Sequence, residues 1–167
     1  YPAWDLRTDP ALLRATKAAL AANSVSVSLG EGFLIMGGLE ISHAEPIMDV
    51  MAELGAPAVN TIVMEQDRSR AFDQFALYTG MAAQRGMIAC LEYMPMMWPI
   101  NAAEAAEFVT DSGAANARVL IDAMHFYRGG SSAADLAAID PAVIGYVQIC
   151  DVPMAAKGTI VSTAFLG

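Results

Sequence analysis

Three oxygen-bearing side chains sit at or near the ends of apolar stretches that recur along the chain. Glu92 closes the stretch that begins at Met87, Asp122 closes the one that begins at Ala117, and Gln148 interrupts a third. Carboxylate and amide oxygens are the ligands that Mg²⁺ and Mn²⁺ prefer, and Co²⁺ and Zn²⁺ also bind them. We therefore predict that Glu92, Asp122 and Gln148 bind one divalent metal ion, with Mn or Mg as first choice and Co or Zn as alternatives.

Such a site suits proton abstraction next to a carbonyl group. A divalent ion holds the two oxygens of a hydroxy-carbonyl compound and stabilises the enediolate that forms when a carboxylate removes the α-proton. Glu92 is the candidate for this carboxylate. The alternative for Glu92 is an ion pair with an arginine, because buried glutamates are almost always paired. For Gln148, metal ligation and a structural hydrogen-bonding role are equally open.

His125 and Arg128 follow Asp122 closely in the sequence Ile-Asp-Ala-Met-His-Phe-Tyr-Arg. Residues three apart in an extended strand point to opposite faces, so the chain must turn or bulge after Asp122 if His125 is to face the same pocket. We predict that His125 and Arg128 hold substrate oxygens. Each residue also has a structural alternative. Asp122 could be a helix cap or a buried hydrogen-bond acceptor, His125 could be a buried histidine with its hydrogen bonds satisfied, and Arg128 could be a surface arginine. Asp151 is expected to orient a ligand or a loop from behind the metal ligands.

The elements that position these residues recur about every 30 residues, the length of one strand-loop-helix unit. We predict strands at 24–29, 58–64, 87–93, 117–124 and 145–152, with helices between them and a glycine-rich loop at 30–38. Apolar rather than alternating strands indicate a parallel sheet with helices outside. An open doubly wound sheet and a (β/α)8 barrel both fit this pattern. The even period and the polar residues at many strand ends favour the barrel.

The chain has 167 residues, whereas a (β/α)8 barrel needs about 250. We therefore expect residues 1–167 to form a single domain that is a partial barrel, or a barrel with further segments outside this sequence. A partial barrel would expose apolar surface, which favours self-association into a homo-oligomer.

The composition of the chain argues against some classes of binding partner. The net charge is −9, and the only lysines are Lys17 and Lys157, which argues against nucleic acid because phosphate binding needs clustered basic residues. No apolar run reaches the length of a membrane span. Cys90 and Cys150 lie in apolar runs and are expected to be reduced and buried, which with the lack of a secretory signal pattern favours the cytoplasm.

Three motifs resemble the xylose isomerase-like TIM barrel superfamily, which contains sugar-phosphate isomerases and epimerases. They are LEYMP, LIDAMHFYRGG and GYVQICD, in this order at consecutive predicted strand ends, and the resemblance covers about residues 24–152. It implies that Glu92 binds metal and acts as acid and base, that Asp122 binds metal, and that His125 contacts substrate. Gln148 stands where most members carry a metal-binding histidine.

The resemblance also implies a second glutamate on the last strand, as the partner acid and base of the first. No acidic residue follows Asp151, so that glutamate either lies outside this sequence or is lacking.

We therefore predict a metal-dependent isomerase or epimerase of a small sugar or polyol-derived substrate. The alternatives are a dehydratase of the same fold, of the inosose or dehydroshikimate type, and a barrel that binds a small ligand without turnover.

Overall fold

The computed structural model describes residues 5–150, and these residues form a parallel sheet with helices between successive strands. The five strands pair in sequence order. Their bounds are β1 Gly30–Ile35, β2 Ala58–Val63, β3 Ile88–Glu92, β4 Ala117–Asp122 and β5 Ile144–Gln148. Consecutive parallel strands, each followed by a helical crossover, are the architecture of a (β/α)8 barrel. The predicted fold class is confirmed, and the chain forms a partial barrel.

Helices lie between the strands as predicted, and the short helix α5 at Ala123–Arg128 is a further one that was not predicted from the sequence. The helices are α1 Pro10–Ala22, α2 Glu45–Glu53, α3 Arg68–Gln84, α4 Ala102–Asp111, α5 Ala123–Arg128 and α6 Ala133–Ala138, with short 3-10 helices at Ile41–Ala44 and Pro141–Val143. Helix α1 begins at Pro10, which suits the first helical position, and the Asp9 side chain caps it by accepting a hydrogen bond from the Leu12 amide. No helix within residues 5–150 is long and apolar enough to cross a membrane.

The three central strands β2, β3 and β4 are almost wholly buried on both faces, which explains their unbroken apolar character, whereas the edge strands β1 and β5 are partly exposed. On the outer face, Val59, Leu91 and Val119 are fully buried with the aromatic side chains of α3 and α4 in one core cluster. On the inner face, a smaller cluster contains Cys90 and Leu120. The polar residues of the predicted site lie at the carboxyl ends of the strands, beyond this inner cluster.

The first strand lies later in the sequence than predicted. Residues 24–29 are not in a strand, and the predicted glycine-rich loop contains β1 instead. Gly30 belongs in this strand because a Cβ at that position would meet Met51 Cγ at 2.8 Å and Val59 Cγ1 at 3.2 Å. Close packing of the strand against α2 and β2 therefore requires a residue that sequence propensity assigns to loops.

Strands β2 and β3 end one residue earlier than predicted, and β4 and β5 end two or more residues earlier. The chain leaves β4 immediately after Asp122 and enters α5 at Ala123, where the sequence suggested two further strand residues. Strand β5 ends at Gln148, and the rest of its predicted range beyond residue 150 lies outside the described residues.

Candidate functional site

The ends of three adjacent strands bring the predicted residues to one edge of the sheet. Glu92, Asp122 and Gln148 are the last residues of β3, β4 and β5. Asp122 and Gln148 are direct partners in the β4–β5 register. Active sites of (β/α)8 barrels lie at this carboxyl end of the strands.

Glu92 is a buried carboxylate with two polar neighbours. Only 8% of the residue is exposed. Its Oε2 accepts a 2.7 Å hydrogen bond from Asn60 Nδ2, and its Oε1 lies 3.4 Å from His125 Nε2. Burial raises the pKa of Glu92 to about 6; the Asn60 hydrogen bond opposes this rise, and the nearby charges of Asp122 and Glu31 add to it. A carboxyl group with this pKa exchanges protons readily near neutral pH.

The chain turns into helix α5 directly after Asp122, and this turn places His125 next to Glu92. The Asp122 side chain caps α5 by accepting a 3.0 Å hydrogen bond from the backbone amide of His125. The sequence left this capping role open as an alternative to metal binding, and the structure shows the cap. A capping carboxylate uses one oxygen in this bond and keeps other lone pairs available, so the cap is compatible with a ligand role.

His125 is buried, and burial lowers its pKa although the charge of Asp122 acts in the opposite direction. The lowered pKa favours the neutral imidazole, whose 3.4 Å approach to Glu92 is then a polar contact between a neutral and a charged group. A neutral imidazole can donate or accept a hydrogen bond. His125 and Glu92 thus form a contact in which either side chain can take part in proton transfer.

Arg128 is the last residue of α5 and follows His125 by almost one helical turn. It is half-buried and belongs to the same short helix that Asp122 caps. Asp151, with its expected orienting role, lies outside the described residues.

Gln148 contacts the opposite edge of the sheet. Its Nε2 donates a hydrogen bond to the Oε1 of Glu31, which lies on β1. A second contact between these edges is the 2.8 Å hydrogen bond between Ser28 Oγ and Tyr146 OH. The two contacts border a cavity of about 600 Å³. Its lining residues are Ser28, Leu29, Glu31, Asp122, Tyr146, Val147, Gln148, Ile149 and Cys150.

Cys150 is exposed, in contrast to the prediction that both cysteines are buried, and Cys90 is buried as expected. The Cys150 thiol lies 3.3 Å from Asp122 Oδ2. It follows the end of β5, where no helix or strand of the described chain covers it. The thiol therefore borders the cavity and does not belong to the core.

The sequence matches the family described as xylose isomerase-like TIM barrel over residues 4–163. The chain belongs to this family. The match confirms the resemblance seen in the three strand-end motifs. A search of curated proteins found no match.

Solved structures share the xylose isomerase-like fold at low sequence identity. The IolI protein with a bound zinc atom is 16% identical, with a TM-score of 0.79, and the match covers 93% of this chain and 62% of that one. A fusion protein of a xylose isomerase-like TIM barrel with 4-hydroxyphenylpyruvate dioxygenase is 19% identical, with a TM-score of 0.75, over 86% of this chain and 25% of that one. The 3-keto-D-glucoside 4-epimerase YcjR from E. coli is 18% identical, with a TM-score of 0.70, over 83% and 64%. The chain thus spans between a quarter and two thirds of these relatives.

The side-chain oxygens at these strand ends are of the chemical type that binds divalent cations. Glu92 and Asp122 offer carboxylate oxygens at adjacent strand ends, and the Asn60 Oδ1 is buried with no hydrogen-bond partner among the described residues. Buried polar atoms without partners are rare and point to a missing ligand, water or ion. Within residues 5–150, however, no three Asp, Glu, His or Cys side chains are grouped closely enough to hold a metal ion as they stand.

Sequence reasoning missed two polar residues of the site, Asn60 and Glu31. Asn60 is the only amide in the apolar run from Ala58 to Met64, and a polar side chain inside a buried strand is the same signal that identified Gln148. Glu31 was missed because its segment has the glycine content of a loop. Asn60 lies on β2, which pairs with the Glu92 strand β3, and Glu31 lies on β1, where it accepts a hydrogen bond from Gln148.

Proposed function

We propose that this chain carries the active site of a divalent-metal-dependent isomerase or epimerase acting on a small sugar or polyol-derived hydroxy-carbonyl substrate. The observation that carries the proposal is the position and environment of Glu92. It is a buried carboxylate at the carboxyl end of a barrel strand, its pKa is raised to about 6, and the His125 Nε2 lies 3.4 Å from its Oε1. A general base is most effective when its pKa lies near the working pH.

The proposed reaction begins with proton transfer. Glu92 removes the proton from the carbon next to the substrate carbonyl, and the electrons of that bond move onto the carbonyl oxygen to give an enediolate. His125 and Arg128 hold substrate oxygens in place during this transfer. Asn60 keeps the Glu92 carboxylate in one orientation through its 2.7 Å hydrogen bond, which limits the geometries that must be searched before transfer.

Glu92 and Asp122 would hold the metal ion of such an enzyme. When bound, the ion supplies positive charge where negative charge develops on the substrate oxygens. The involvement of Gln148 as a third ligand stays a prediction, because its amide nitrogen already binds Glu31 and only its carbonyl oxygen is left to ligate. The zinc in the IolI structure and the epimerase activity named for YcjR support this choice among the reactions that the fold can host.

A dehydratase begins with the same proton abstraction and differs in the next step. Loss of water from the enediolate gives a conjugated carbonyl product, which absorbs in the ultraviolet, whereas an isomer or epimer of the substrate does not. The same incubations therefore distinguish the two reactions.

The test is a turnover assay with unphosphorylated and phosphorylated aldoses and ketoses, with Mn²⁺ or Mg²⁺ added, read by NMR. We expect the wild-type protein to isomerise or epimerise at least one of them, and Glu92→Gln to reduce the rate by about 10²- to 10⁴-fold. The control is Glu53→Gln, which alters an exposed glutamate paired with Lys17 on the outer helices. A Glu92→Gln variant as active as the control, or no turnover by wild type, would overturn the proposal.

A further inference from the structure

The residues level with Glu92 on the inner face of the sheet are largely apolar. Parallel pairing places Glu92 opposite Ile62 on β2 and opposite Leu120 on β4. Ile62 is in turn opposite Leu34 on β1, and Leu120 is opposite Tyr146 on β5. These five register partners form one row across the sheet, which we call the Glu92 row. Glu92 is the only charged residue in it.

The two members of the row on β1 and β2 face the interior of the barrel. Successive residues of a strand point to opposite faces. Leu34 lies between Phe33 and Ile35, which both belong to the outer core cluster, and Ile62 precedes Val63 of the same cluster. Leu34 and Ile62 therefore point inward. The exposed fraction of Leu34 is 37%, and Ile62 is half-buried, so this part of the row is open to a solute.

The apolar surface continues toward the strand ends at Met64. The backbone amide of Met64 donates a 2.6 Å hydrogen bond to the carbonyl of Ile35, so the pairing of β1 with β2 extends one residue past the end of β2. Met64 therefore keeps the strand alternation and follows Ile62 on the inner face. It is half-buried, and its flexible thioether side chain adapts to irregular apolar groups. We call Leu34, Ile62 and Met64 the apolar wall.

The neighbours of Glu92 toward β4 and β5 are polar. Asp122 and Gln148 end these strands and line the cavity, and Tyr146 of the Glu92 row lines it as well. A molecule bound at Glu92 thus meets side-chain oxygens on one side and the hydrocarbon of Ile62 on the other. Adjacent strands lie about 4.8 Å apart, so a chain of a few carbon atoms that begins at Glu92 reaches the apolar wall.

We propose that the substrate of this site is a hydroxy-carbonyl compound whose far end is deoxygenated, as in a 6-deoxy sugar, and that Leu34, Ile62 and Met64 bind this end. This inference rests on the proposed function and specifies its substrate class. A hydroxyl group placed against the apolar wall would lose its hydrogen bonds to water without replacement, whereas a methyl group has none to lose. Binding of the far end then helps to orient the reacting carbon at Glu92.

The experiment compares sugars that differ in a single hydroxyl group. Each unphosphorylated hexose of the turnover assay is paired with its 6-deoxy counterpart, beginning with D-fructose and 6-deoxy-D-fructose, and kcat/KM is measured by NMR with Mn²⁺ added. We expect the wild-type protein to prefer the 6-deoxy member by about 10- to 100-fold. Leu34→Gln places a polar amide on the apolar wall and should reduce this preference about tenfold.

Matched variants show whether the polarity of the apolar wall is the cause. Leu77 is an exposed leucine on helix α3, outside the sheet, so Leu77→Gln should keep the wild-type preference. Ile62→Thr and Ile62→Val introduce side chains of nearly the same shape that differ in a hydroxyl group. We expect Ile62→Thr to lose more of the preference than Ile62→Val. The melting temperature of each variant is measured alongside.

The outcomes separate the two proposals. If the wild-type protein turns over a hexose as fast as its 6-deoxy counterpart or faster, the proposed function stands and this inference is wrong. It is also wrong if Leu34→Gln keeps the wild-type preference. If the wild-type protein turns over no sugar, deoxygenated or not, the proposed function fails and this inference fails with it.

Discussion

Asn60 donates a 2.7 Å hydrogen bond to Glu92 from the neighbouring strand, and both side chains are buried. The bond gives a buried carboxylate its donor, and it works against the rise in the pKa of Glu92 that burial causes. Asn60 therefore stabilises the ionised form of the residue that we propose as the base.

Replacement of Asn60 by Ala should destabilise the metal-free protein by about 1–3 kcal/mol at pH 7.5, because the buried carboxylate loses its donor. The loss should be smaller at pH 4.5, where Glu92 is protonated in the folded protein. Urea unfolding at the two pH values measures both effects. In a Glu92→Gln background the effect of Asn60→Ala should no longer depend on pH, and a dependence that persists there would assign it to another group.

Glu92 should lower the stability of the metal-free protein as pH rises. Its folded pKa of about 6 is above the ordinary value of 4.5, so the stabilising contribution is complete below pH 4.5 and is lost as pH passes 6. The difference corresponds to about 2 kcal/mol. Glu92→Gln should therefore raise the melting temperature at pH 7.5 by about 4–8 °C and leave it nearly unchanged at pH 4.5. Equal shifts at both pH values would show that ionisation of Glu92 is not the cause.

The close packing of β5 against Arg118 on β4 leaves no room for a side chain at Gly145. A Cβ at Gly145 would lie 2.4 Å from Arg118 Cβ and 3.3 Å from Cys90 Sγ. Gly145→Ala should therefore destabilise the protein by about 1–3 kcal/mol through overpacking and displace Gln148 three residues later. The contrasting variant is Gly80→Ala in helix α3, where a Cβ meets nothing within 4 Å and a gain of about 0.5–1 kcal/mol is expected. Thermal unfolding should show shifts of opposite sign, and equal signs would contradict the packing described at β5.

Most of the fold could be predicted from the sequence, because the parallel strands are apolar runs at a steady interval. The helices between them also carry recognisable start and stop residues. Asp9 and Pro10 are a typical helix start and stand at the beginning of α1, and Gly86 follows the end of α3, which comes before β3. The first strand was misplaced because the alternating Val and Ser of residues 24–29 imitate a half-exposed strand, while Gly30 and Gly32 resemble a loop. Their real role is close packing and a bulge, which depend on Met51 and on the register with β2.

The site was predictable where strand ends carry acidic residues, and it was not where contacts join distant strands. Glu92, Asp122 and Gln148 could be placed at one edge because parallel strands end there together. The contact of Glu31 with Gln148 joins residues 117 positions apart, and no local pattern encodes it. The Asn60–Glu92 bond likewise depends on the pairing of β2 with β3.

The proposed site is tested most directly by its affinity for Mn²⁺ alone, measured by titration calorimetry and elemental analysis on wild type and Asp122→Asn. Asparagine is as good a helix cap as aspartate, so this variant should keep α5 folded and lose only the charge. We predict about one ion per wild-type chain and at least tenfold weaker binding by Asp122→Asn at an unchanged melting temperature. If wild type binds no Mn²⁺, or if Asp122→Asn binds it as tightly as wild type, Glu92 and Asp122 do not form the metal site of this protein.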